Sequence, residues 1–317
     1  MFRQHIRFAG LGMIAGLVAF VVAAHAAPAL TREADIGMHE IRIDSSVFKV
    51  RFTRPAGEDA RSRMLDWVRK SAHAVAVYYG RFPVESMTIF ISPYEGRGVR
   101  GGRAWGGLRP RISISAGTLN TAGDFDDDWR MVHEMIHMAF PMLDERHDWM
   151  TEGLAVYVES VARLQASHLD EKTVWKGFID GMRNGLPLAG DRGLDHTPTW
   201  GRTYWGGALF CLVADLEIRR RTDGAKSLQD ALRAVVNSGG NHNSHWPLEN
   251  ALKTADEATG TTVLMDLYRK WGATAVDPKL PELWKRLGVI AQGQSVSFDD
   301  DAELAKTRKS IGRPPKS

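Results

Sequence analysis

The pentapeptide His133-Glu134-Met135-Ile136-His137 decides how this sequence is interpreted. Three aspartates at 126–128 precede it and favour the start of a helix, because negative charge at a helix N-terminus interacts favourably with the helix dipole. Residues four apart share one face of a helix, so the imidazoles of His133 and His137 can bind one metal ion. Glu134 lies beside the first histidine, where its carboxylate can take a proton from a water on the metal. The pentapeptide therefore has the pattern of an HExxH zinc motif.

A third ligand must complete such a site, because catalytic zinc takes three protein ligands and keeps one position open. The only cysteine, Cys211, lies in an apolar run that favours a buried, inert thiol, so the third ligand must be a histidine or a carboxylate. Leu143 stands where metzincins have their third histidine, which excludes that class. The downstream candidates are Asp144, Glu145, His147, Asp148 and Glu152. Glu152 begins a second helical pattern, and a helix would support a ligand rigidly.

The third ligand is assigned by a resemblance to a known family. HEMIH (133–137) followed by WMTEGLAVYVE (149–159) resembles the HExxH and W-x-x-E-G-x-A-x-Y-x-E pair of gluzincin metallopeptidases, above all the aminopeptidase N and glycyl aminopeptidase families. The resemblance implies zinc as cofactor, Glu152 as the third zinc ligand, and Glu159 as an acid that orients a ligand histidine. A solvent-facing charge is the alternative for Glu159.

A third segment, YWGGA (204–208), is similar to the Y-x-K-G-A segment of the same families. The resemblance implies that the Tyr204 hydroxyl stabilises the oxyanion of the reaction. Gly206 stands where the families usually have lysine, and a packing role is the alternative for Tyr204. His196 is a second candidate donor. His242 and His245 lie in a polar loop without a third ligand nearby, and we expect them at the surface.

The predicted fold class is α+β. Alternating residues at 38–52 predict a hairpin, a helical pattern ends at Gly80, and strands are expected at 87–92 and 111–115. The sequence beyond 141 predicts mostly helices, and the resemblance implies a thermolysin-like protein with two lobes and a zinc cleft between them. We predict a signal peptide at 1–26, an N-terminal α/β lobe at 27–141, a helical lobe at 142–295 and a flexible charged tail at 296–317.

The glycine-rich segment 95–107 predicts a mobile loop or a loop that another group approaches closely, in which Trp105, Gly106 and Gly107 are expected to bind substrate. Aminopeptidases of the family have an acid in the matching segment that holds the free amine of the substrate. This segment has an arginine and no acid at 101–107, and an arginine repels an ammonium group. We therefore expect cleavage within peptide chains rather than amino-terminal trimming. The alternatives are a non-catalytic zinc- or peptide-binding envelope protein and a specialised non-peptide hydrolase on the same fold.

Composition and the N-terminus predict the location and the partners. The chain has 317 residues with 44% hydrophobic content, enough for a sizeable core. Arg3 and Arg7 precede an apolar stretch at 8–24 and an A-x-A site at 24–26, which is typical of a secretory signal peptide. An uncleaved anchor is the alternative. Without those two arginines, 39 basic residues face 38 acidic ones, a net charge of +1. We expect a periplasmic or secreted protein with a peptide or protein substrate, no nucleic acid, and no stable membrane insertion unless the signal is retained.

Overall fold

The N-terminal residues form the predicted hairpin. In the computed structural model, which describes residues 37–314, β1 (Met38–Ile43) and β2 (Ser46–Phe52) pair antiparallel. Helix α1 (Glu58–Tyr79) follows and ends at Gly80, whose φ of 79° is left-handed and favours glycine. The predicted signal peptide at 1–26 lies outside the described residues.

The hairpin continues into a five-stranded sheet of order β1-β2-β3-β5-β4. The remaining strands of this sheet are β3 (Ser86–Tyr94), β4 (Val99–Trp105) and β5 (Arg111–Gly117). Strands β2, β3 and β5 are parallel, and α1 supplies the crossover between β2 and β3. Strand β4 pairs antiparallel with β5 and lies at the edge of the sheet.

The glycine-rich segment differs from its prediction, because most of it forms strand β4 instead of a mobile loop. The pairing of β4 with β5 uses backbone groups, so the missing side chains of Gly101 and Gly102 do not prevent it. The two glycines fall at an irregularity of the ladder between Arg100 and Arg103, where the strand bulges. The segment is therefore an ordered edge strand.

Helices dominate the sequence after β5. The helix predicted to start at the aspartates 126–128 begins at Arg130, and a shorter helix capped by the side chain of Thr121 precedes it. The helices are α2 (Ala122–Asp126), α3 (Arg130–Ile136), α4 (Asp148–Gln165), α5 (Glu171–Met182), α6 (Gly207–Arg221), α7 (Leu228–Asn237), α8 (Leu248–Thr259), α9 (Val263–Trp271) and α10 (Leu280–Leu287). A sheet followed by helices confirms the α+β class.

The C-terminal segment also differs from its prediction of a flexible tail at 296–317. A second sheet of β6 (Val289–Gln292) and β7 (Ser295–Phe298) is followed by helix α11 (Ala305–Ile311). Arg308 is 1% exposed and donates hydrogen bonds to Glu171 and Asp300 and to the backbone carbonyls of residues 287 and 288. These buried contacts order the segment up to residue 314, because a buried cation requires its partners to stay in place.

A single hydrophobic core joins the sheet to the helices. It includes α1 on one side of the sheet and the apolar faces of α4, α6 and α7. Within residues 37–314, none of the helices has the length and apolar character needed to cross a lipid bilayer.

Candidate active site

The three predicted zinc ligands converge in the structure. His133 lies on α3, His137 lies one turn later where the helix tightens to a 3-10 turn, and Glu152 lies on α4. The Nε2 atom of His133 is 3.1 Å from Oε2 of Glu152, and the Nε2 atom of His137 is 3.6 Å from the same oxygen. One ligand atom from each residue lies within 4.8 Å of the others. This spacing suits a single ion.

The chemistry of the three side chains also suits zinc. Two imidazole nitrogens and one carboxylate oxygen are a ligand set of catalytic zinc sites, which leave a position open. Burial and, to a smaller extent, the neighbouring His133 lower the pKa of His137 to about 3. A neutral imidazole is the form that binds a metal ion. The residues therefore fit the predicted cofactor.

Two contacts hold α4 so that Glu152 faces the histidines. Gly153 lies against the backbone of Gly207 on α6, and a Cβ atom on Gly153 would come within 2.2 Å of the Gly207 Cα. At the start of α4, the carboxylate of Asp195 hydrogen-bonds Nδ1 of His147 at 3.0 Å and accepts from Nε1 of Trp149 at 2.7 Å. The glycine after the ligand glutamate thus permits close packing of two helices.

Glu134 belongs to α3, and its side chain lies against the edge strand β4. The backbone N–H of Ala104 donates a hydrogen bond to its carboxylate. A Cβ atom on Gly102 would lie 2.6 Å from Oε1 of Glu134, so glycine is needed for this approach. Burial is the main reason why the pKa of Glu134 is raised to about 7; His133 opposes the rise and the Glu152 charge adds to it. A carboxyl group with such a pKa can accept and return a proton near neutral pH.

Tyr204 also lines the site and belongs to the π-helical turn Gly201–Gly206 that precedes α6. Such turns frequently occur at functional sites. Its hydroxyl lies close to the carboxylate of Glu152, and its ring centre lies 6.3 Å from that of His133. Burial raises the pKa of Tyr204, and the Glu152 charge adds to this effect, so the phenol stays a donor.

Glu159 is buried but makes different contacts from those expected. Its carboxylate accepts hydrogen bonds from Arg163 at 2.6 Å and from Ser160 at 2.9 Å. Nδ1 of His133 has no hydrogen-bond partner among the described residues. The structure therefore shows no hydrogen bond or ion pair between Glu159 and a ligand histidine, and Arg163, one turn along the same helix, pairs with Glu159 instead.

These groups line a cavity of about 570 Å³, and the other residues that line it differ from the predicted substrate contacts. Strand β4 lines it with Gly101, Gly102, Arg103 and Ala104, whereas Trp105, Gly106 and Gly107 lie outside it. The guanidinium groups of Arg103 and Arg111 lie over the Trp105 ring, at 5.3 and 4.7 Å from its centre. Gly107 donates a backbone hydrogen bond to the carbonyl of His242 at 3.0 Å, so these residues anchor a neighbouring loop.

The cavity residues that were not predicted as substrate contacts from the sequence include His242 and Asp148. His242 lines the cavity with its ring 6.4 Å from that of His137, and its imidazole hydrogen-bonds the backbone of Phe140. Asp148, which the sequence offered only as a possible metal ligand, lines the same cavity one turn before Glu152. His196 is exposed and lies outside the cavity. No local motif marks His242, because the contact joins residues about a hundred positions apart.

The fold resembles solved metallopeptidases. An aminopeptidase N family protein from Idiomarina loihiensis matches with a TM-score of 0.62 and 15% identity, over 81% of this chain and 50% of the other. An M1 zinc metallopeptidase from Deinococcus radiodurans matches with a TM-score of 0.50 and 16% identity, over 77% and 52%.

The likeness is confined to structure and to part of those proteins. No family model matches the sequence, and no curated protein matches it either. The chain spans about half the length of the two solved structures. It shares the fold of aminopeptidase N family and M1 zinc metallopeptidases, which confirms at the level of the fold the gluzincin resemblance predicted from its motifs.

Proposed function

We propose that this protein is a zinc-dependent peptide hydrolase with a thermolysin-like, two-lobed arrangement. The observation that carries the proposal is the convergence of His133, His137 and Glu152 beside Glu134 and Tyr204 in one cavity. A zinc site alone would need only the three ligands. The added general base and phenol donor are the groups that amide hydrolysis requires.

The mechanism assigns one task to each side chain. His133, His137 and Glu152 would hold zinc, which supplies Lewis-acid polarisation of the substrate carbonyl when bound. Glu134 takes a proton from the attacking water and passes it to the nitrogen of the leaving amine as the C–N bond breaks. Tyr204 donates its hydroxyl proton in a hydrogen bond to the oxyanion that develops on the carbonyl oxygen.

Strand β4 provides a place for the substrate backbone. It is the edge strand of the sheet and lines the cavity, so its outer backbone groups can pair with an extended peptide. Gly101 and Gly102 line the cavity without side chains, so they leave room in it for the substrate. A peptide bound there would lie beside Glu134.

We favour cleavage within a chain as the main activity. The β4 residues that line the cavity include Arg103 and no acid, and a guanidinium group disfavours a free amine nearby. Amino-terminal trimming is the second candidate, because the carboxylate of Asp148 lines the cavity and can pair with an ammonium group. The Idiomarina protein is named as a member of the aminopeptidase N family, which also favours trimming.

Two other functions predict different behaviour. A non-catalytic zinc- or peptide-binding protein would retain the metal without turnover, and a specialised hydrolase on this fold would act on a substrate other than a peptide. The base Glu134 favours catalysis over binding alone. Export through residues 1–26 to the periplasm or the outside stays a prediction.

Digestion of a mixed peptide library by the zinc-loaded protein tests the proposal, with mass spectrometry of the new termini and Glu134→Gln as the blank. Cuts made only by the wild type support a peptidase. No cuts by a protein with zinc bound would contradict it.

Acetylated copies of the cleaved peptides separate the two modes of cleavage. Internal cleavage continues after acetylation of the amino terminus, whereas trimming stops. Asp148→Asn raises the KM for free amino termini only if trimming is the activity.

A further inference from the structure

A second cavity, here called the aromatic pocket, adjoins the zinc-site cavity. It has a volume of about 490 Å³, within the range of small-ligand sites. Trp129 and Tyr204 line both cavities, so the pocket lies next to the candidate active site on the Tyr204 side. Its other apolar walls come from Val156, Leu169, Val174, Trp200 and Trp205.

Two of the aromatic side chains that line the pocket are exposed to solvent. Trp129 is 42% exposed and Trp200 is 65% exposed. The Trp200 ring lies 6.3 Å from that of Tyr204, and the Trp129 ring lies edge-on at 5.3 Å from that of His133. Exposed aromatic residues grouped around a concave surface are typical of a binding site rather than of ordinary protein surface.

The charged side chains that line the pocket do not favour a charged ligand. Arg163 donates to Glu159 at 2.6 Å and to the backbone carbonyl of Asp126 at 2.6 Å, so both members of the buried pair are satisfied. Ser160 also donates to Glu159. Asp127 is the other charged lining residue and is exposed to solvent. A neutral, apolar ligand group fits this lining best.

Gly177 gives an independent indication that the pocket is kept open. It lies inside helix α5, where glycine costs about 0.5–1 kcal/mol relative to alanine. A Cβ atom there would meet nothing within 4 Å, so packing does not require glycine. Gly181, one turn later, is different, because a Cβ atom would lie 1.9 Å from the Trp205 ring. Gly177 lines the pocket, and a larger side chain there would enter it.

We propose that the aromatic pocket binds a large apolar or aromatic side chain of the peptide substrate, at a residue next to the cleaved bond. The inference rests on the proposed function, because Tyr204 is shared between the pocket and the candidate oxyanion site. It specifies the substrate class as peptides with a bulky apolar residue at that position. Gly177 determines the size of side chain that the pocket accepts.

The first test measures binding without catalysis. N-acetyl-L-tryptophanamide is titrated into the zinc-loaded Glu134→Gln protein and followed by saturation-transfer NMR. Adding Gly177→Leu is expected to weaken binding about tenfold or more, because the leucine fills the pocket. The control is Lys172→Leu, which places the same side chain on the exposed face of α5, outside the pocket. Trp200→Ala is a second pocket variant that alters an exposed residue, so its folding does not depend on repacking.

The second test measures selectivity. Peptide pairs that differ only by Phe or Ala, on each side of the cleaved bond in turn, are compared by kcat/KM. The wild type and Lys172→Leu are expected to prefer Phe on one side, and Gly177→Leu to lose about tenfold of that preference. Equal probe binding by Gly177→Leu, Trp200→Ala and Lys172→Leu would overturn the inference. Pocket-dependent probe binding by a protein that cleaves no peptide would contradict the proposed function instead.

Discussion

In the proposed mechanism, Tyr204 is the residue that connects the metal ligands to the substrate. Its hydroxyl lies close to the Glu152 carboxylate, and it lines the same cavity as Glu134. When the carbonyl oxygen of a substrate gains negative charge, the hydroxyl can turn to that oxygen. A phenol aimed at developing charge stabilises the transition state more than the ground state.

Tyr204→Phe tests this role at the level of one atom. We expect kcat to fall about 10²–10³-fold with little change in KM, because the lost hydrogen bond forms mainly in the transition state. Steady-state kinetics on a library peptide gives both constants, and zinc content is measured in the same samples. A large rise in KM with kcat unchanged would instead assign Tyr204 to substrate binding.

The sequence predicts best those contacts that join residues close together along the chain. The i, i+4 spacing predicts that His133 and His137 share a site, and the structure brings them together with Glu152, which the family resemblance supplied. His242 could not be predicted, because its approach to His137 depends on how a distant loop folds back. Glu159 does not pair with a ligand histidine as predicted, because a nearby arginine pairs with its carboxylate.

At the scale of elements, the packing of α4 against α6 positions the third ligand. Gly153 and Gly207 face each other where the helices cross, and a Cβ atom on Gly207 would lie 1.9 Å from the carbonyl oxygen of Trp149. Close backbone contact leaves little freedom for either helix to shift. Glu152 on one helix and Tyr204 just before the other are therefore held in a fixed relation.

Gly153→Ala should separate these helices. We expect a loss of about 1–3 kcal/mol in the free energy of unfolding, because the added methyl group overlaps backbone atoms. Gly177→Ala is the matched control, since that methyl group meets open space and should stabilise its helix by about 0.5–1 kcal/mol. Urea unfolding measures both variants. If Gly153→Ala is as stable as Gly177→Ala, the close contact does not exist in solution.

Strand β4 shows which elements local patterns fail to predict. Its glycines have low strand propensity, so the sequence predicts a loop, but pairing with β5 depends on residues outside the segment. The same limit applies to the C-terminal elements, where Arg308 is buried by partners from three separate segments. The end of α1 at Gly80 and the bounds of β3 were predicted to within two residues.

In the whole molecule, the zinc site connects α3, which follows the sheet in the chain, to α4. The ligands belong to α3, the turn after it and α4. A metal ion that binds only the folded chain stabilises the whole fold by mass action. Stability should therefore depend on zinc.

Chelation of zinc should lower the melting temperature of the wild type. At a zinc concentration of about a hundred times Kd, the stabilisation is about 2.7 kcal/mol, which corresponds to roughly 5 °C for a chain of this size. Differential scanning calorimetry with and without EDTA measures the shift. Glu152→Ala is the control and should show a much smaller shift. Equal shifts in both proteins would mean that zinc stabilises the fold from another site.

The central claim is that the convergent site hydrolyses peptide bonds with Glu134 as its base. The most direct measurement is the initial rate on one library peptide for the wild type and Glu134→Gln, at equal zinc content determined by atomic absorption. We predict one zinc per chain in both proteins and a rate about 10²–10⁴-fold lower for Glu134→Gln. Equal rates at equal zinc content would contradict the claim.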